Sequence, residues 1–202
     1  MYILETMRSD LSEFRTADIM TAVVFAVVAR VYALFASPAI NAWLRAFGPV
    51  GQAISPFFTT ILYFLLLLAV VVRGNALVAF VAAMLMSGVR VFTGDPFGPI
   101  ALQAYLVGGL TGWIAFAAMR NSFSYWGLAV MGIFFSIGVD FVFLGLYLPV
   151  APMFGSQLAG KFIQIVGYRI VMGLMLGALL LYTGRWMHAS EALRGIVRKS
   201  KD

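Results

Sequence analysis

The chain has 202 residues, 62% of them hydrophobic and only 11% charged. A soluble domain carries about 25% charged residues, so this composition belongs in a membrane, and the length gives room for one domain of roughly six spans of about 20 apolar residues each. Without cysteine, disulfides, thiolate metal sites and thiol catalysis are excluded, and the net charge of +6 is read as membrane orientation rather than nucleic-acid binding.

Residues 1–17 carry Glu5, Asp10 and Glu13 and lack a continuous apolar core, so they are read as an amphipathic lead-in and not a cleavable signal. The first span is expected from about Asp18 to Ala36, ended by Ser37-Pro38. A long connection from Asn41 to Ser55 follows, partly helical or re-entrant. The second span runs from about Pro56 to Val72, with Pro56 near its first turn, where a missing N–H costs nothing. Arg73-Gly74-Asn75 is a tight turn, and Ala76 to Phe92 is the third span. A Gly/Pro turn (Thr93 to Pro99) leads into the fourth, about Phe97 to Met119. After a polar turn from Arg120 to Ser124, the fifth span runs from Tyr125 to Leu148. Pro149 to Gly160 is a loop, Phe162 to about Thr183 the sixth span, and 184–202 a basic tail. The expectation is an all-α integral membrane protein, a single six-helix domain over 1–202.

With six spans both termini share one side. That side holds nine of the basic residues and the other holds only Arg45 and Lys161, which by the positive-inside rule puts both termini in the cytoplasm.

Four charges lie inside these spans: Arg30, Arg90, Asp140 and Arg169. Ionised groups in hydrocarbon are costly and usually face a cavity, a partner or a substrate. At about 1.5 Å per residue, Arg30, Arg90 and Asp140 lie roughly 18–22 Å from the inner end of their spans and Arg169 about 10 Å below the outer end. All four therefore fall in the outer half, joined by Gln103 and Gln164. Three cations and one anion leave an excess of about +2, which a dry bundle does not bury without an anion or water. Arginine suits bidentate binding of carboxylate or phosphate, so the layer is read as an outward-facing pocket for a small polar ligand. The bland alternative makes these charges structural, Asp140 pairing with one Arg and another snorkelling to headgroups. Tyr32, Trp43, Tyr105, Trp113, Tyr147 and Tyr168 are candidates to stack on a ring. For Trp43 and Tyr147 an interfacial aromatic belt is the preferred reading. Asn41, opening the connection, completes the candidate ligand contacts.

Ala22, Ala26, Ala29 and Ala33 make a smooth face on the first span, open to either a partner helix or internal packing. Gly108, Gly109 and Gly112, and Gly173 and Gly177, are read as internal packing. No phosphate-binding loop is present, since Gly160-Lys161 is followed by Phe162. His188 is the lone histidine, and no H-E-x-x-H or second intramembrane carboxylate accompanies Asp140. No metal, cofactor or catalytic residue is expected.

The turn Gly94-Asp95-Pro96-Phe97-Gly98-Pro99, with Asp140 in the fifth span and Arg169 ahead of Gly173-Leu174 in the sixth, resembles the S components of energy-coupling factor (ECF) transporters. The likeness is greatest to the YkoE-type branch, linked to hydroxymethylpyrimidine and thiamin precursors, and the turn matches that branch's G-N-P-x-G-P. The resemblance implies a vitamin or vitamin-precursor binder with substrate at Arg30, Arg90, Gln103, Asp140, Arg169, Tyr168, Trp113 and Asn41. It implies lids in the Asn41–Ser55 connection and the third-to-fourth turn. It also implies docking of the Ala22/Ala26/Ala29 face on a coupling transmembrane subunit that works with two ATPases. Arg90 and Trp113 depart from that branch, whose residues there are acidic, so the expected ligand is more electron-rich or anionic. Two other readings stay open: an ion-coupled carrier using Asp140, and a membrane scaffold or lipid-headgroup protein.

Overall fold

The computed structural model describes residues 2–145 and 156–190, with side chains described except at 52–57, 59, 144 and 156–164. The described elements are all helical: α1 Tyr2–Ser12, α2 Thr16–Val31, a π-helical turn Tyr32–Ala36, α3 Ser37–Arg45, α4 Gly48–Arg73, α5 Leu77–Phe92, α6 Gly98–Ala118, α7 Tyr125–Gly145 and α8 Ser156–Ala189. Among the described residues four stretches are long and apolar enough to cross a membrane: Thr16–Arg45, Gly98–Ala118, Tyr125–Phe143 and Ile165–Ala189. Two shorter apolar helices, Thr60–Arg73 and Leu77–Phe92, accompany them. Tyr147, the Pro149–Gly160 loop up to 155, and the tail from 191 lie outside the described residues.

Ser37-Pro38 does not end the first span. Proline removes an N–H and its ring collides with the carbonyl four residues back, here that of Leu34. The π-helical turn absorbs that conflict: the Ser37 N–H reaches the Tyr32 carbonyl, five residues back, and the helix resumes with Pro38 in the first turn of α3. A single-turn π insertion is a known way to carry a helix past such a defect. The expected connection Asn41–Ser55 is thus a helical hairpin of α3 and the start of α4. A Cβ at Gly51 would collide with the Leu44 carbonyl, so only glycine allows so close an approach.

Elsewhere the expected boundaries hold within a few residues. Gly74 closes α4 in the left-handed region, at φ +67°, which glycine adopts without a Cβ penalty. The Asn75 side-chain oxygen accepts from the Leu77 N–H at 2.9 Å and starts α5. The sixth apolar helix is longer than expected, running to Ala189.

Close packing of α6, α7 and α8 rests on glycine. A Cβ at Gly138 would lie 2.8 Å from Gly108 Cα, and one at Gly177 would lie 2.9 Å from the Ala129 backbone. In lipid, where apolar burial gives helices no reason to associate, such close approach supplies dispersion contacts instead. The α2 alanines are spent in the same way. Ala22, Ala26 and Ala29 are buried in the core with residues of α4 and α5. The small face is internal packing and not an open docking face; the open face of α2 is Met20, Val23, Val24, Val27, Val28 and Val31.

Gly138→Val is expected to cost on the order of 1–3 kcal/mol or more, because backbone opposite cannot retreat. Gly88→Ala, with open space around it, should be neutral or slightly stabilising. Thermal unfolding of the two variants in detergent micelles measures the contrast.

Candidate functional site

Two ion pairs lie toward the end of the bundle opposite α1. Arg169 of α8 holds Asp140 of α7 through two hydrogen bonds, Nε to Oδ2 at 2.5 Å and Nη2 to Oδ1 at 3.1 Å. This is the bidentate geometry that only a guanidinium gives. The Arg169 guanidinium carbon stands 5.2 Å from the Tyr63 ring centre and 5.7 Å from that of Tyr168, within cation–π range. Tyr63 packs edge-on against Phe135, with ring centres 5.5 Å apart. The remaining guanidinium nitrogen, Nη1, is buried and has no hydrogen-bond acceptor among the described residues.

The second pair was not visible as such in the sequence. Arg90 Nε donates to Asp95 Oδ2 at 2.8 Å. Asp95 sits in the turn, where its other oxygen accepts the Phe97 N–H at 3.0 Å and its backbone N–H reaches the Arg90 carbonyl. Gly94 makes the reversal possible at φ +72°. The Arg90 hydrogen bond, then the Phe97 N–H, hold the Asp95 carboxyl below the usual carboxylate range, and Arg30 lies near enough to add to the effect. Arg90 therefore carries its own counter-ion, and the expected excess of about +2 falls by one charge among the described residues. Tyr105 of α6 is buried between the pairs, within electrostatic reach of Arg90, Arg169 and Asp140. Among the described residues Arg30 lacks such a pair: its Nε is buried without an acceptor.

A family model described as the permease component of an ABC-type cobalt transport system matches residues 17–139, more than half of the chain. The chain belongs to this family. It is an S-component-like, multi-pass membrane permease component of an ABC transport system, and not an enzyme. No curated protein and no solved structure matches it.

Within this permease component the expected site residues do not all meet. Arg90, Asp140, Arg169 and Tyr168 fall in one region with Tyr63 and Tyr105, and Arg30 borders it through Asp95. Tyr168 interacts with Thr60 of α4. Gln103 is exposed on α6 and does not face the buried pairs. Asn41 is half-buried on α3, where its amide reaches Ser37 Oγ at 3.4 Å. Gln164 falls where side chains are not described. A groove of about 370 Å³ between α6 and α7 is lined by Thr111, Ile114, Ala115, Phe134 and their neighbours. Its surface is apolar and suits no polar ligand.

Trp113 must be moved altogether. It lies fifteen residues into α6, near the α1 end, where its indole N–H donates to Asp10 Oδ2 at 2.8 Å. Asp10, buried although it belongs to the lead-in helix, also accepts from Asn121 Nδ2 at 3.0 Å, and its carbonyl accepts from Asn75 Nδ2 at 2.9 Å. Next to this network Asp18 caps α2 through the Arg15 N–H at 2.7 Å and pairs with Arg73 Nε at 2.6 Å. The lead-in is thus a docked helix, latched to the bundle through the carboxylate and backbone carbonyl of Asp10.

Burial raises the Asp10 carboxyl above its ordinary value of 3.8, against the opposing pull of the Trp113 and Asn121 hydrogen bonds. A carboxyl raised in the docked state binds protons more readily there than when free. Its contribution is fully present below the ordinary value and is lost as pH rises through the raised one. Hydrogen exchange of residues 2–12, corrected for intrinsic rate, should therefore show protection falling as pH rises across that window. Asp10→Asn should flatten the dependence.

Proposed function

We propose that this chain is the substrate-binding S component of an ECF-type importer, a six-span domain over 1–202 with both termini in the cytoplasm. It takes a small vitamin or vitamin precursor from the outer side and delivers it through a coupling transmembrane subunit driven by separate ATPases. Membership in an ABC permease family is the observation that carries this reading, joined to the absence of a phosphate-binding loop in the sequence. The charge distribution supports the orientation: Arg8, Arg15, Arg73, Arg120 and Arg185 lie at or near the α1 end, against only Arg45 and Lys161 among the described basic residues toward the opposite end of the spans. Likeness to the hydroxymethylpyrimidine-linked branch favours a ring-bearing ligand, which the tyrosines beside Arg169 would flank.

Cobalt in the family's description does not suit these residues as a free ion. Guanidinium donors repel a divalent cation, cysteine is absent and histidine is single, and among the described residues no three His, Cys, Asp or Glu come together. An ion-coupled carrier is disfavoured because both Asp140 oxygens are tied to Arg169. The coupling subunit would meet the valine face of α2, since the alanine face is occupied.

Reconstituted with its coupling subunit and ATPases, the chain should import the compound it retains on purification, identified by mass spectrometry, only when ATP is supplied. Val27→Trp on the open face of α2 should abolish import while leaving retention unchanged. Import by the chain alone, driven by a proton gradient, is the result that sinks the proposal.

A further inference from the structure

We infer that the substrate of this site, on the transport reading above, is a monoanion that presents an oxygen to Nη1 of Arg169. Three observations converge on it. Arg169 is about nine-tenths buried, at 9% relative exposure, and two of its three nitrogens are committed to Asp140. Nη1 is left buried without an acceptor. A buried donor left unsatisfied costs about 1–3 kcal/mol, more when it is charged, and an arriving oxygen recovers that cost. The Asp140 and Arg169 side chains keep 17% and 10% exposure, so the pair is not enclosed by protein on every side.

Charge sets the class. Asp140 answers Arg169 and Asp95 answers Arg90. Arg30 is left over, with a buried Nε and no acceptor. Among the described residues the region therefore carries one uncompensated positive charge, held partly out of water, where it is weakly screened. A ligand with one negative charge neutralises it. A cationic ligand adds to the repulsion, and a phosphate monoester, at about −1.5 to −2, overshoots. A carboxylate also matches the planar fork of a guanidinium, and the half-buried Tyr168 ring beside Arg169 provides a flat apolar wall for a ring attached to it.

The test uses the full chain in nanodiscs of zwitterionic lipid, titrated calorimetrically at neutral pH with benzoate, benzamide and phenyl phosphate. Benzoate should bind about tenfold or more tightly than benzamide, since the charge-assisted contact is lost, and more tightly than phenyl phosphate. Removing Arg169 alone would strand a buried carboxylate, so the double variant D140N/R169Q is used to keep the pair neutral. It should lose benzoate binding about tenfold or more while its melting temperature stays close to that of the parent. R30Q should weaken benzoate and leave benzamide unchanged. Benzamide binding as well as benzoate, undiminished benzoate binding in D140N/R169Q, or binding of none of the three probes overturns the inference. Release of a cationic or neutral compound from the purified permease also overturns it and leaves the transport reading standing, whereas absence of ATP-driven import defeats that reading itself.

Discussion

The ion pair between Asp140 and Arg169 is the constraint on which the rest of this bundle turns. Neither charge is tolerable alone at that depth, where removing one partner of a buried pair costs about 3–5 kcal/mol. The pair therefore fixes the register of α7 against α8. Glycine lets the same two helices come close enough for the bidentate geometry: Gly173 meets Ile133 and Gly177 meets Ala129 one and two turns along from Arg169. The close approach of α6 to α7 at Gly108 and Gly138 then places Tyr105 beside the pair. Polar chemistry and small-residue packing are one arrangement here. The glycines set the distance, and the charges forbid sliding.

The two ends of the bundle treat buried polarity differently. At the α1 end, Asp10 and Asp18 are nearly or fully removed from solvent. Both carboxylates are satisfied within the chain, by Trp113, Asn121, Arg73 and the Arg15 N–H. Of the polar groups there, the Asn121 Oδ1 is left without a donor among the described residues. At the opposite end two guanidinium nitrogens, on Arg30 and Arg169, are buried without acceptors among the described residues. Orphaned donors are uncommon in folded proteins and call for a cause. What the α1 end lacks is one donor to a neutral amide, whereas what the opposite end lacks is acceptors to two cations, the more costly deficit.

Much of this was legible in the sequence because membrane segments are written in composition and length. The six apolar stretches, the glycine stripes and the depth of Arg30, Arg90, Asp140 and Arg169 follow from hydropathy and a rise of about 1.5 Å per residue. The same arithmetic would have placed Trp113 near the α1 end; grouping it by residue type instead of depth put it in the wrong layer. The continuation of α2 through Pro38 was hidden, because whether proline breaks a helix depends on a π-helical turn that no local pattern announces. The alanine face was ambiguous in principle: small residues serve a partner helix and an internal neighbour equally well, and only the positions of α4 and α5 decide. Docking of α1 was hidden because Asp10 looks like a solvated charge until Trp113, Asn75 and Asn121 are brought around it from three distant parts of the chain.

Asp95 is the most instructive omission. Counting only charges within spans gave three cations to one anion, because Asp95 lies in the turn and was left out of the count. The structure places Arg90 Nε 2.8 Å from Asp95 Oδ2. A cation at the end of the helix is answered by an anion in the turn, five residues on, so the pair is close to neutral. What distinguishes this site electrostatically is then Arg30, whose charge neither ion pair balances.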